Sequence, residues 1–268
     1  MDIGTLLGLL IGLGGILLGN AIEGGKISQI AQPTAAMIVV GGTVGATMIQ
    51  FPFRIFKHAL KSIKIAFKEP PNHADKLIDE IVRYATAARK DGILALEPLA
   101  PKASDPLLAR ALMMAVDGAD SAAMRDSLEA SIGQMEEEGE DVAKVFEAMG
   151  GYAPTVGIIG AVLGLIQVMT NLSDIGKVGE GIATAFVATI YGVGLANIVA
   201  LPLAGKLKMR TREVVAFKTL MLEGALAIQE GMNPKLVREK LTAMQPASEK
   251  KAAPAGAVGE ETAAVAAA

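Results

Sequence analysis

The chain contains no cysteine and no tryptophan, and the first of these absences excludes several kinds of chemistry. Without a thiol it can form no disulfide framework, no thiolate metal site and no cysteine nucleophile. Its two histidines, His58 and His73, have no third ligand at the spacing that a metal site requires. We therefore expect no metal site and no cofactor, and we interpret both histidines as solvated or interfacial residues.

Charged residues are absent from two long stretches, residues 150–171 and 181–203, which contain no Asp, Glu, Lys, Arg or His. Each stretch is about as long as the ~20 apolar residues that cross a bilayer core. We predict membrane spans over 150–171 and 181–205, joined by a turn at 172–180. Both contain small and hydroxyl-bearing residues: Pro154, Thr155, Gly157, Gly160, Ala161, Gly164, Thr184, Thr189 and Asn197. Such residues let helices approach closely, so we expect this hairpin to pack against other helices.

Hydrophobic residues make up 51% of the chain and charged residues only 20%, which is typical of a membrane protein. Apolar runs over residues 3–18 and 33–49 predict two further spans. The first run lacks the basic start and the cleavage site of a signal peptide, so we expect it to be retained. Its glycines share one helical face, which favours a tight helix–helix seam, although glycine is common in all membrane helices.

The segment 53–68 places cations and apolar residues on two separate helical stripes. The cations are Arg54, Lys57, Lys61, Lys64 and Lys68, and the apolar residues are Phe56, Leu60, Ile63 and Phe67. This pattern predicts a basic amphipathic helix that lies along anionic membrane lipid and ends at residues 69–71. A nucleic-acid patch is the weaker alternative, because two membrane spans precede the segment.

Two polar regions complete the chain. Residues 74–146 are helical in period with breaks at Pro98, Pro101 and Pro106, and helices after span four are predicted to reach residue 244. The positive-inside rule places both regions and both termini in the cytoplasm, because cations cluster after spans two and four. The predicted fold is an all-α membrane protein with four transmembrane helices in two hairpins and a helical cytoplasmic domain between them. The predicted divisions are 1–50, 51–147, 148–205, 206–245 and a disordered tail at 246–268.

No enzyme motif is present: the chain has no P-loop, no paired histidines and no Ser-His-Asp arrangement. An ion carrier normally keeps an ionisable residue within its spans, and none of the four predicted spans has one. Either the protein moves no ions or a partner helix supplies the titratable group. The second alternative explains the small and hydroxyl-bearing side chains of spans three and four.

Several segments resemble one known family. Residues 153–165 (APTVGIIGAVLGL) and 181–192 (GIATAFVATIYG) are similar to the signature of the MotA/TolQ/ExbB ion-channel proteins. Residues 40–47 (VGGTVGAT) are similar to the second span of its MotA and PomA branch, whereas TolQ and ExbB proteins have a single span before their cytoplasmic domain. Residues 87–97 (AARKDGILALE) resemble the rotor-facing segment of flagellar stator subunits.

This resemblance implies roles for particular residues. Family stators are rings, implied to be pentamers, around a MotB-like single-span partner that carries the ion-binding aspartate. Pro154 and Pro202 match two family prolines near the ion path, where a proline frees a backbone carbonyl. Arg89 and Glu97 match the charges that engage the rotor protein FliG, and could share a helix face if the helix continues through Gly92. Glu147 matches an acidic position at the channel entrance.

The resemblance also bears on the coupling ion. Sodium-driven members carry threonine in place of Ala161 and a Thr–Thr pair in place of Ala188-Thr189. A dehydrated sodium ion needs several oxygen ligands, and a methyl group offers none, so we expect proton coupling. The hydroxyl of Thr155 is the main reservation, since it could contribute an oxygen to the same path.

The resemblance implies a flagellar stator subunit of the inner membrane that converts proton flow into torque, with no enzymatic activity and no nucleic acid. The alternatives are an ExbB/TolQ-type energiser of envelope transport and, less favoured, a scaffold that conducts nothing.

Overall fold

The computed structural model describes residues 3–67 and 74–245, and every regular element in these ranges is helical. Four helical stretches are long and apolar enough to cross a membrane, judged by length and composition. They are Ile3–Ile22, Pro33–Gln50, Ser121–Thr170 and Ile175–Gln229. The expected all-α membrane fold with four spans is therefore confirmed.

The first hairpin consists of helices α1 (Ile3–Ile22) and α3 (Pro33–Gln50), separated by the single turn α2 (Ile27–Ile30). Helix α3 begins at its proline because the ring fixes φ at a helical value and the missing N–H has no partner in the first turn. No helical turn was predicted between the first two spans. A methyl group built on Gly12 of α1 would lie 3.7 Å from the Ile198 Cγ2. One built on Gly8, Gly15 or Gly19 would have no neighbour within 4 Å. Of these four glycines on the expected seam, Gly12 is the one that lies against another helix of the described chain.

Helix α4 (Phe53–Ala66) corrects one expectation about the amphipathic segment. Its buried face holds Phe56, Ala59, Ser62 and Ala66, and the apolar members pack against protein. Leu60, which was assigned to the apolar stripe, is 46% exposed. The apolar stripe is therefore packed against protein only in part, at Phe56, Ile63 and Phe67. Lys68 and the predicted break at residues 69–71 lie outside the described residues.

Helix α5 (Ala74–Asp91) ends at Gly92, whose φ of 86° lies in the left-handed region that favours glycine. Two short 3₁₀ turns follow, Ile93–Leu96 and Ala100–Lys102. Helix α6 (Pro106–Val116) then begins with proline in its first turn, and the Asp105 carboxylate caps it by accepting a hydrogen bond from the Leu107 N–H at 2.8 Å.

The remaining helices are α7 (Ser121–Thr170), α8 (Ile175–Gly194), α9 (Leu201–Gln229) and α10 (Pro234–Met244), and a π-helical turn, Leu195–Ala200, joins α8 to α9. The predicted turn at 172–180 is too long. Helix α8 starts at Ile175 because the Asp174 carboxylate accepts from the Gly176 and Lys177 N–H groups at 3.1 and 3.3 Å. Helix α10 is capped by Asn233, whose side chain accepts a hydrogen bond from the Lys235 N–H at 3.0 Å.

The chain forms two compact units, each built from separate stretches of sequence. The first comprises residues 1–70 and 134–213, and its cores join α4 to α7 and α9, and α3 to α8. The second comprises residues 71–133 and 214–268. Its core is built on α5, α6, α9 and α10, with the start of α7 added. The predicted tail at 246–268 lies outside the described residues.

Charged side chains tie the helices of the second unit together. Glu223 accepts hydrogen bonds from Arg125 at 2.8 Å and from Lys240 at 2.6 Å, which links α9 to α7 and α10. Burial opposes the ionisation of Glu223, but the hydrogen bonds from Lys240 and Arg125 outweigh it and hold the pKa of this carboxyl below its ordinary value. Lys218 donates to both carboxylate oxygens of Asp105 at 2.7 Å, so the residue that caps α6 also fixes it to α9.

Candidate functional site

Span 3 is the membrane part of α7, and span 4 runs from α8 through the π-helical turn into the start of α9. The two spans meet along a line of glycines that we call the glycine seam: Gly157, Gly164, Gly181 and Gly192. A methyl group built on Gly192 would lie 2.5 Å from the Ala153 carbonyl oxygen. One built on Gly164 would lie 2.8 Å from the Gly181 carbonyl oxygen. The two backbones therefore approach to distances that only glycine permits, as the small residues of these spans predicted.

Ala188 and Ala161, the two alanines that argue against sodium, lie in different settings. Ala188 is fully buried, and its methyl group faces Gly160, while its carbonyl oxygen faces Gly157. A methyl group on Gly160 would lie 2.7 Å from the Ala188 Cβ, so close packing alone favours a small side chain here. Ala161 is half-buried. Packing is thus a reason for the alanine at position 188 that is independent of the ion.

Two threonine hydroxyls in the candidate path bond to their own helices. Thr155 Oγ1 donates to the Tyr152 carbonyl at 2.8 Å, and Thr189 Oγ1 donates to the Ala185 carbonyl at 3.2 Å. Each hydroxyl oxygen keeps its lone pairs, because the bond uses only its hydrogen. Thr155 is exposed on the surface of this single chain, and Thr189 is half-buried. Both oxygens are therefore chemically able to accept from a water or a protonated carboxyl.

The two predicted prolines lie in long helices whose hydrogen-bond ladders are interrupted. Pro154 is inside α7, and Pro202 stands at the start of α9 directly after the π-helical turn. At that turn the Leu201 N–H donates to the Ala196 carbonyl, five residues back. Because proline has no N–H, each one leaves a carbonyl of the preceding turn without its helical donor. Spans 3 and 4 thus each carry a deformable point.

A third helix, α3, packs against this hairpin. A methyl group on Gly42 would lie 2.6 Å from a methyl carbon of Val156 in span 3, while Val39 is buried in one cluster with Ala188. The Tyr191 hydroxyl donates to the Ile30 carbonyl at 2.7 Å and accepts from the Gln32 N–H at 3.2 Å.

Sequence analysis did not single out Tyr191, which ties span 4 to the link before α3. A signal was available: a tyrosine in an apolar span needs a partner for its hydroxyl.

Glu147, the predicted entrance residue, lies three residues before the predicted start of span 3 and pairs with Lys208 of α9 at 2.6 Å. Both side chains are about two-fifths exposed. In such a setting an ion pair contributes little to stability, about 0–1 kcal/mol. Its geometric effect is clear: the pair joins the middle of α7 to α9, with Glu147 three residues before Gly150 and Lys208 seven residues after Leu201, the residue that Gly150 faces.

Arg89 and Glu97 are both exposed, but they do not share a helix. Helix α5 ends at Asp91, and Glu97 follows the 3₁₀ turn Ile93–Leu96. The conditional expectation of a common helix face was wrong, because the left-handed backbone at Gly92 breaks the helix. Both residues belong to the second unit and are presented separately, one at the end of a helix and one at the end of a turn.

In chemical terms, spans 3 and 4 offer close backbone packing at the glycine seam, two threonine hydroxyl oxygens and two deformable points, but no Asp, Glu, Lys, Arg or His at residues 150–171 or 181–203. Such an arrangement cannot bind and release a proton by itself, since no group in it titrates near neutral pH. A carboxylate or imidazole that exchanges a proton beside these spans must therefore come from outside the two stretches.

Comparison with known proteins agrees with this geometry. The model of the MotA/TolQ/ExbB proton channel family matches residues 99–219, and the model of the Motility protein A N-terminal region matches residues 6–90. Motility protein A of Bacillus subtilis is 33% identical over 251 residues, which cover 93% of each protein. Motility protein A of Helicobacter pylori is 36% identical over 241 residues, covering 90% of this chain and 94% of that protein.

A solved structure, that of the C. jejuni MotAB complex, superposes with a TM-score of 0.87 at 30% identity, covering 92% of this chain and 97% of that chain. Together these matches define a multi-pass membrane protein of the stator and proton-channel type. The chain belongs to the MotA/TolQ/ExbB proton channel family, as its span motifs indicated.

Proposed function

We propose that this chain is the ring-forming subunit of a flagellar motor stator, which couples proton flow across the inner membrane to torque on the rotor. The observation that carries the proposal is the glycine seam, where two spans pack closely and present hydroxyl oxygens but no Asp, Glu, Lys, Arg or His. A MotB-like partner helix that contributes a carboxylate supplies the missing group. The similarity to the C. jejuni MotAB complex supports such a partner.

Proton transfer takes place beside this hairpin. The partner's carboxyl exchanges its proton next to Thr155 and Thr189, whose oxygens can accept hydrogen bonds from it or from a water. Neutralising a carboxylate changes its preferred contacts, and the helices adjust at Pro154 and at the turn before Pro202. Glu147, paired with Lys208, lies at the cytoplasmic mouth of this path, where the resemblance places an acidic entrance residue.

Torque is delivered by the second unit. Copies of the chain, five on the family pattern, surround the partner, and each carries Arg89 and Glu97 exposed to the cytoplasm. These charges act on FliG in a solvated setting, where a single pair is worth only about 0–1 kcal/mol. Weak individual contacts suit a rotating interface, since each must form and break in every step. Both termini and both polar regions lie in the cytoplasm, following the cation clusters.

One further observation favours a stator over an envelope-transport energiser, and another favours protons over sodium as the coupling ion. The match of residues 6–90 to the Motility protein A N-terminal model covers both helices of the first hairpin, which supports a stator over an envelope-transport energiser. Alanine at positions 161 and 188 leaves the path with fewer oxygen atoms than a dehydrated sodium ion needs, which supports protons as the coupling ion.

The test is deletion of the gene in its own bacterium, followed by complementation. The proposal predicts cells that assemble flagella of normal length but do not swim, with swimming restored by the full chain. Cells that swim normally without the chain, or that lack flagella altogether, would contradict it. An energiser of envelope transport would instead leave swimming intact and impair uptake or envelope integrity.

A further inference from the structure

Helix α4 carries a row of cations on the face opposite its packed side. Four of its residues, Arg54, Lys57, Lys61 and Lys64, are exposed, and no Asp or Glu occurs between residues 51 and 67. At about 100° per residue these four lie within an arc of roughly 80°. We call them the cationic stripe.

The cationic stripe is unpaired among the residues that the structure describes, unlike the cations that follow span 4. There, Lys208 binds Glu147 at 2.6 Å and Arg210 binds Glu213 at 2.8 Å. Positive charge after span 4 is thus partly neutralised within the chain, whereas the four charges after span 2 remain available to an external anion.

The stripe is also held in a fixed direction. Phe56, Ala59 and Ala66 on the opposite face of α4 are at most 6% exposed, in one cluster with Phe146 and Leu207. This side of α4 is therefore occupied by protein. Because the helix is anchored on that side, its four cations must point away from the protein, and little backbone freedom is lost when they bind a ligand.

The stripe lies next to the membrane in sequence and in packing. Helix α4 begins three residues after the end of α3 at Gln50, and its apolar partners in α7 and α9 adjoin spans 3 and 4. Exposed apolar side chains flank the cations on both sides, Phe53 and Leu60 on one and Ile65 on the other. Apolar residues beside a cationic row are typical of a surface that meets lipid headgroups.

We propose that the cationic stripe binds the headgroups of anionic phospholipids in the cytoplasmic leaflet. A juxtamembrane Lys or Arg near an anionic surface contributes on the order of a five-fold preference for that lipid. The binding surface is the polar outer side of α4, not the apolar side that normally anchors an interfacial helix. This inference rests on insertion of the chain in a membrane and on the cytoplasmic position of α4, but not on proton coupling.

The test uses the full chain in lipid nanodiscs with a fluorophore at one introduced cysteine, His58→Cys. Position 58 is exposed beside Arg54, and the native chain has no other cysteine. Brominated phosphatidylglycerol and brominated phosphatidylcholine are exchanged in turn, and quenching gives their relative association at this site. We expect the anionic lipid to be preferred by about five-fold or more, and the preference to decline as salt is raised.

Three variants complete the test. Glutamine at all four stripe positions should remove the preference, and arginine at Lys57, Lys61 and Lys64 should retain it. Glutamine at four exposed lysines of the second unit is the matched control and should leave it unchanged: Lys76, Lys90, Lys102 and Lys235.

Equal quenching by the two lipids in the native chain would overturn the proposal. Quenching by neither would also overturn it, and would indicate that protein covers the stripe, with the acidic run 136–141 of a second copy as the complementary surface. If the glutamine variant does not fold, the salt dependence of the native chain decides between these outcomes. All readouts are independent of motility, so failure here leaves the proposed stator function untouched.

Discussion

Gly192 stands where the backbone of span 4 meets that of span 3. The methyl group of an alanine would lie 2.5 Å from the Ala153 carbonyl oxygen and 3.0 Å from the Gly157 Cα, and backbone atoms cannot move aside cheaply. Overpacking of this kind costs about 1–3 kcal/mol. We expect Gly192→Ala to lower the thermal stability of the purified chain and to reduce swimming.

Gly194 provides the matched control for this substitution. It lies two residues further along the same stretch, and nothing stands within 4 Å of an added methyl group. Gly194→Ala should therefore behave as wild type in the same unfolding and swimming assays. Equal effects of the two substitutions would show that the seam does not depend on close backbone contact at Gly192.

Glu223 is the residue whose titration should govern the acid stability of the second unit. Its folded-state pKa is held below the ordinary value of 4.5 by Lys240 and Arg125 against the opposing effect of burial. A depressed pKa means that the stabilisation is present above pH 4.5 and is lost as pH falls through the folded-state pKa. Hydrogen bonds to charged groups contribute about 1.5–3 kcal/mol each, so the loss is measurable.

Glu223→Gln should lower the unfolding temperature at neutral pH and flatten its decline on acidification. The measurement is thermal unfolding of the purified chain as a function of pH. Glu129→Gln is the control, because that carboxylate contacts the same Arg125 at 3.2 Å but is 54% exposed. A variant at position 223 that declines with pH as steeply as wild type would contradict the assigned role.

The start of a helix could be predicted from the sequence where one residue fixes it through its own ring or side chain. The starts of α3 at Pro33 and of α10 after Asn233 were predictable, because proline and asparagine act there through their own rings and side chains. Asp174 would have predicted the start of α8 in the same way, and was not used. The unbroken course of α7 from Ser121 to Thr170 was less apparent, because its polarity changes midway while its helical period does not.

The candidate site was predictable in its composition but not in its contacts. The absence of charge and the abundance of glycine identified spans 3 and 4, since both are visible in sequence alone. The pairing of Glu147 with Lys208 and the bonds of Tyr191 were not predictable, because each joins residues far apart in the chain. The burial of Ala188 against Gly160 likewise depends on how two helices are packed in register.

The π-helical turn before Pro202 gives span 4 a defined point of weakness. Pro202→Ala would supply a backbone N–H and allow a continuous hydrogen-bond ladder, which stiffens the helix. If the proposed adjustment of span 4 is needed in each step, this variant should insert into the membrane normally but rotate the motor several-fold more slowly. The measurement is the speed of a bead on a single flagellum, with membrane protein levels determined in parallel.

Pro106→Ala is the matched control, because Pro106 occupies the first turn of α6, where an N–H has no helical partner in either variant. It should leave motor speed unchanged. If the Pro202→Ala variant rotates the motor at wild-type speed, the deformable turn before Pro202 is not needed in the mechanism.

The whole molecule has a topology that can be tested because the native chain lacks cysteine. Single cysteines at Gln29, in the link between α1 and α3, and at Ala123, near the start of α7, are both on exposed positions. An impermeant maleimide should label the first in intact cells and the second only after permeabilisation. The reverse pattern would contradict the proposed orientation of all four spans.

In the proposed mechanism, protons that pass a partner's carboxylate beside the uncharged glycine seam drive rotation. This mechanism is tested most directly by recording the rotation of single motors in cells that depend on this chain while the ion gradients are changed. Replacing external sodium by potassium should leave the speed unchanged, and a protonophore at neutral pH should stop rotation. A speed that rises with external sodium and persists in the presence of the protonophore would contradict this account.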